Sequence, residues 1–199
     1  MSGAFPISSA KFESLGIKSI QNTIISKTVS GKKLARQIDN QRWAFTVRIV
    51  TGTRSDVYGE LMAFIVKQRS GKENFTIIPP EVEDARGTAS GTPHGTASAG
   101  DTSITLGGTG SGTLKAGDMI KFANHSKVYM VVADQSDIST GNLTIEPPLT
   151  TAVSSSNIQY DNVPFTVHLT NDVQEFGVSG ADKDGNLYYE YQFDVEESL

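Results

Sequence analysis

Cysteine is missing from this 199-residue chain, which excludes disulfides, thiolate metal sites, iron–sulfur clusters and cysteine nucleophiles. Histidine is scarce, with three residues, and there is a single tryptophan. Long apolar runs are absent too. None approaches the ~18 residues that would span a bilayer as a helix, so no membrane insertion is expected. The opening Met1-Ser-Gly-Ala-Phe-Pro lacks the basic and apolar regions of a signal peptide, and the expectation is a soluble protein made in a cytoplasm. What is present is ordinary globular stock, 37% hydrophobic and 20% charged with 19 glycines. That is enough to bury a core as one or two modest domains.

The net charge of −5 argues against a general nucleic-acid binder, but it is unevenly distributed. Residues 1–85 hold 12 Lys+Arg against 8 Asp+Glu, residues 86–161 hold 4 against 6, and residues 162–199 hold 1 against 8, giving +4, −2 and −7. A basic front and an acidic back suit an internal pairing of the chain's ends, a head-to-tail contact between copies, or two separately solvated faces.

Hydrophobic periodicity organises the first third. Gly16 to Val29 is rich in Ile, Thr and Val and reads as extended, with an irregularity near its middle; Ser30-Gly31-Lys32-Lys33 is a turn. Arg42 to Val50 alternates, with Trp43, Phe45, Val47 and Ile49 on one face, as a half-buried strand does. A helix is predicted over about 55–69, with Ser55 as N-cap, Val57, Leu61, Phe64, Ile65 and Gln68 on one face, and Gly71 as its stop. Glu73 to Ile78 resumes as a strand until Pro79-Pro80.

The composition then changes. From Gly87 to Thr113, 19 of 27 residues are Gly, Ser or Thr and Asp101 is the one charged group. A flexible linker is expected over Gly87 to Ala97, with folded structure from about Ala99. Short strands at Met119 to Phe122, Lys127 to Ala133 and Asn142 to Glu146, set between Gly, Asp and Pro signals, point to a small β-barrel or sandwich. Val163 to Leu169, Val173 to Val178 and Leu187 to Val195 return to the opening style, the last two separated by an Asp-Gly turn. The expected fold is mainly β: a discontinuous β-sandwich from residues 1–85 and 162–199 carrying one α-helix, with residues 86–161 inserted as a small barrel entered through a Gly/Ser/Thr-rich linker.

Catalytic templates find little purchase. His94, His125 and His168 lie in dissimilar settings without metalloprotease spacing. Asp182-Lys-Asp-Gly-Asn186 has its glycine at the wrong place for an EF-hand loop and reads as a hairpin turn. Gly107-Gly-Thr-Gly-Ser-Gly112 and Ser70-Gly-Lys-Glu73 lack the spacing of nucleotide-binding loops. Glu190, Asp194 and Glu196 share a parity on one strand, as a glycosidase pair or, far more commonly, a solvated rim does. No catalytic residue, cofactor or metal is expected. The candidate interface residues are the basic Arg36, Arg42 and Arg48, the acidic Glu190, Glu196 and Glu197, and the aromatic Tyr189 and Tyr191.

The stretch Arg36-Gln-Ile-Asp-Asn-Gln-Arg-Trp43, the helix Tyr58 to Ile65, and Phe75-Thr-Ile-Ile-Pro-Pro80 together resemble small tail proteins of tailed bacteriophages, especially distal tail and baseplate-hub proteins. The segments Leu114 to Phe122, Tyr129-Met-Val-Val132 and Leu143 to Leu149 are similar to a β-rich insertion in such proteins, and Phe193 to Leu199 to their closing strand. The resemblance implies a non-enzymatic virion component, assembled in the host cytoplasm, that forms a homo-oligomeric ring, commonly a hexamer, and meets tail-tube and baseplate-hub proteins. A tail-tube or tube-closing protein is the neighbouring alternative, and a carbohydrate-binding module touching host-surface sugar is another, weakened by the lack of an exposed aromatic cluster in the insertion.

Overall fold

The computed structural model describes residues 3–7, 11–38 and 40–199. Met1 and Ser2 of the opening stretch and Asp39 of the Arg36–Trp43 stretch lie outside them. Fourteen strands and one α-helix follow in chain order: β1 (Phe12–Ile20), β2 (Thr23–Lys27), β3 (Lys33–Gln37), β4 (Arg42–Thr53), α1 (Gly59–Lys67), β5 (Phe75–Ile77), β6 (Pro93–Ala97), β7 (Ser103–Gly108), β8 (Met119–Phe122), β9 (Val128–Val131), β10 (Asn142–Glu146), β11 (Val153–Gln159), β12 (Phe165–Leu169), β13 (Gly177–Ala181) and β14 (Leu187–Glu197).

The chain is mainly β and builds two bodies. An antiparallel sheet runs β1-β4-β14-β12-β5, with β13 also paired to β14. Strands β6 to β11 close a six-stranded barrel in the order β10-β7-β6-β11-β8-β9. The sheet therefore draws its strands from both ends of the chain and the barrel from its middle. The long alternating strands β4 and β14 lie side by side, Phe193 opposite Val47 and Val195 opposite Phe45. Their inward side chains, all at or below 6% exposure, form one core with Phe75, Phe165 and Val167. Helix α1 closes that core with Leu61 and Ile65, and Tyr58 just before it is fully buried. Burying the last moves the Tyr58 phenol up to about 12, chiefly by desolvation.

The helix departs from its sequence signals at both ends. It opens one residue early, as a π turn over Arg54–Tyr58. Ser55 Oγ lies 3.1 Å from Thr53 Oγ1 and makes no capping bond. At the other end Arg69, at φ 52°, takes the left-handed conformation that ends the helix. Gly71 serves a different purpose: a Cβ there would stand 2.6 Å from the Leu169 carbonyl oxygen, so its bareness lets this turn lie against β12.

The expected linker is corrected as well. Pro93 to Ala97 is β6, bonded between β7 and β11, and Ser90 bridges Ser111 just before it. The glycines that suggested flexibility permit close approach instead. A Cβ on Gly95 would sit 2.7 Å from Ile104 Cγ2 and 2.8 Å from Phe122 Cε1, inside the barrel core. Paired hydroxyls, Thr88–Thr113, Ser90–Ser111 and Thr92–Thr109, run along the outer face. Strand β11, with three consecutive serines, carries little apolar alternation.

Gly95→Val should overpack the barrel and destabilise the protein by about 1–3 kcal/mol in urea unfolding. Gly180→Ala, where an added Cβ meets nothing within 4 Å, should change stability by less than about 0.5 kcal/mol. Equal effects would refute a close-packed role for Gly95.

Candidate assembly interface

A polar group on the apolar parity of a strand must find a partner once that face is buried. Glu197 is such a group. It continues the inward row of Phe193 and Val195 on β14 and is 1% exposed. Its carboxylate accepts hydrogen bonds from Trp43 N at 3.1 Å and Val128 N at 2.9 Å, and it pairs with Lys127 Nζ at 2.5 Å. Lys127, also 1% exposed, donates further to Gln41 Oε1 at 2.9 Å and the Val128 carbonyl at 3.0 Å. Trp43 Nε1 donates to that same carbonyl at 2.9 Å. The Lys127 ammonium stands 5.8 Å from the ring centres of both Trp43 and Tyr129. Desolvation outweighs the attraction of Glu197 and holds the Lys127 ammonium below the ordinary lysine value. Every donor in this cluster has an acceptor, so the barrel is fixed to the sheet through Lys127 and Val128 by a satisfied buried ion pair.

Beside it, the His125 ring links the Asn124 side chain to the Tyr129 hydroxyl, both at 2.8 Å, and Tyr129 continues to Thr150. Burial first, then the charges of Lys121 and Lys127, keep His125 below the usual histidine value.

The other sequence candidates pair mostly within the chain. Arg42 bonds Glu196 at 2.8 Å. Arg48 reaches both Glu13, at 3.0 Å, and Glu190, at 3.1 Å. Tyr191, 2% exposed, is stacked between Phe176 and Phe193 and donates to Gln174. Burial raises its phenol. Tyr189 lies half-buried against Tyr58. Arg36 stands apart, exposed on β3. The pairing of the basic front with the acidic back is thus intramolecular at these positions.

Sequence reasoning missed Lys127 and Gln41, and named Glu197 as an interface residue without its burial. It also missed the exposed apolar residues of the β2–β3 hairpin: Ile24 is 57% exposed, Ile25 56%, Leu34 49% and Ile38 56%. This hairpin pairs with itself in five register positions and joins neither the sheet nor the barrel. A lone two-stranded hairpin is marginal in water, and among the described residues this one pairs with no other strand and leaves its apolar residues about half exposed beside its cations.

The Asp182 carboxylate accepts bonds from the Asp184 and Asn186 amides and the Asn186 side chain, closing the β13–β14 turn. Among the described residues, no group of three or more Asp, Glu or His is arranged to hold a metal, and no helix is long and apolar enough to cross a membrane. The three histidines lie on separate elements.

The chain combines a sheet and a barrel joined by a buried ion pair with a hairpin whose apolar residues are exposed. Residues 82–163, which contain the whole barrel, match the family described as Distal tail protein pb9, B domain. The resemblance to distal tail proteins drawn from the sequence is therefore met, and the match supports a structural role in a phage tail. No curated protein matches the chain significantly.

Two outcomes test the junction. Lys127→Met leaves the Glu197 carboxylate buried without its cation and should cost about 3–5 kcal/mol. Adding Glu197→Gln should cost less than the sum of the two single changes; additivity in the urea-unfolding cycle would show that the pair does not couple. The neutral His125 favours the fold in full above about pH 6.5, the unfolded value, and this contribution falls away as pH drops through the lower folded value, because the unfolded chain takes up the proton first. Melting temperature should therefore fall on acidification from pH 7 in a way that His125→Asn blunts; parallel curves would contradict it.

Proposed function

We propose that this chain is a non-enzymatic component of a bacteriophage tail tip or baseplate, assembled in the host cytoplasm, whose copies form a ring joining the tail tube to the distal tail or baseplate hub. In this reading residues 1–85 and 162–199 are the assembly domain, and residues 86–161 an inserted module held at a fixed angle by the Lys127–Glu197 junction. A hexamer is the expected stoichiometry, on the resemblance to distal tail proteins.

The observation that carries the proposal is the β2–β3 hairpin. Residues 23–38 contain Lys27, Lys32, Lys33 and Arg36 and no acidic residue, alongside Ile24, Ile25, Leu34 and Ile38. An apolar, cationic projection of this kind gains stability only by docking on another molecule. A structural ring supplies that cover in every copy, and the family match of the barrel supports the same setting.

Native mass spectrometry and negative-stain imaging test this. The expected result is a closed ring at low salt that weakens toward molar salt, where surface charges are screened. Ile24→Glu with Leu34→Glu should give monomers with unchanged circular dichroism, because neither side chain enters a core. A monomer of the unaltered protein at high concentration would overturn the ring.

A further inference from the structure

The hairpin needs a receiving surface, and the fold offers one at the opposite corner of the same sheet. Residues 171–189 contain Asp172, Glu175, Asp182 and Asp184 against Lys183 alone, a net −3 set against the +4 of residues 23–38, while the next acid, Glu190, is held by Arg48. The surface is also apolar: Val173 is 83% exposed, Val178 53% and Leu187 44%. It is an edge as well, because β13 pairs only with β14 among the described residues, leaving its outer backbone groups free to pair with a strand from elsewhere.

The two surfaces cannot meet within one chain. The hairpin leaves the sheet at Ile20, which lies opposite Arg42 at the start of β4, on the outer strand β1. Strand β13 lies on the far side of β14, by Tyr188, which is opposite Thr53 at the end of β4. Eleven steps along β4 at about 3.3 Å each separate those ends by on the order of 35 Å. Two complementary but diagonally opposed patches make a heterologous, head-to-tail contact, which repeats from copy to copy and closes when the rotation allows.

We propose that the β2–β3 hairpin of one copy docks on the acidic, apolar β13–β14 corner of the next, with Ile24 and Leu34 against Val178 and Leu187 and the hairpin cations facing Asp172, Glu175 and Asp184. This rests on the self-assembly reading above and names its partner surface. Charge complementarity of +4 against −3 selects a second copy of this chain as the occupant, and sets register and encounter more than raw affinity.

The absence of cysteine makes a direct test clean. Arg36→Cys and Val178→Cys are introduced into separate, differently tagged full-length chains, co-expressed and oxidised. The expected result is a shift of the main denatured band to twice the chain mass, carrying both tags and missing when either variant is expressed alone. Arg36→Cys co-expressed with Val66→Cys, on the exposed face of α1, should give no such band. Rings that form while the Arg36/Val178 pair links no better than the Arg36/Val66 pair would overturn this docking surface and leave the ring standing. A monomeric unaltered protein by native mass spectrometry would overturn both.

Discussion

The Lys127–Glu197 pair is the constraint on which the arrangement of the molecule depends. It joins a barrel strand end to the final strand of the sheet across a buried interface, and Gln41, Trp43 and Val128 saturate it with hydrogen bonds. An apolar contact would hold the two bodies together about as strongly, because desolvation offsets most of the attraction between buried charges. What the ion pair adds is direction. A carboxylate accepting bonds from two backbone amides and an ammonium tolerates little rotation, so the barrel keeps one orientation on the sheet. Met119 and Val128 of the barrel complete the fit by entering the sheet's own core.

That rigidity suits a part that transmits position between neighbours. In the proposed ring, a module hinged loosely to its sheet would blur whatever it must meet. In the proposed ring the functions separate: the sheet and hairpin make the ring, and the barrel projects a fixed surface from each copy. The charge polarity of the chain divides in the same way. Arg42 and Arg48 answer Glu196 and Glu190 inside each copy, whereas in the proposed ring the hairpin cations and Asp172, Glu175 and Asp184 serve the contact between copies. The exposed internal pairs contribute little stability; their role is to orient the rims of β4 and β14.

Much of this was legible in the sequence because strands with one buried face print a period of two. Trp43, Phe45, Val47 and Ile49, and Tyr191, Phe193 and Val195, announced the two central strands, and Val57, Leu61 and Ile65 the helix face. Where alternation fails, so does the reading. β6 was hidden because Gly95 does its packing by omission, and β11 because Ser154, Ser155 and Ser156 interrupt its apolar residues. Glu197 was misplaced by grouping charges along the chain, although its parity with Phe193 and Val195 put it on the inward face; a carboxylate there requires a buried cation. The first hairpin strand and its Ser30–Lys33 turn follow from the sequence, but the second strand, Lys33–Gln37, was not read as one, and exposure is a tertiary fact. Nothing in Ile24 or Leu34 tells a sequence reader that no core receives them.

In the proposed assembly each copy is a rigid two-body unit, ring-forming through its sheet and carrying a barrel in a fixed pose. Single-particle cryo-electron microscopy of the assembled protein tests this most directly. The expected result is barrel density as well resolved as the sheet, in one orientation repeated around a closed ring. Barrels smeared to low resolution around a well-defined ring, or seen in several orientations, would contradict it.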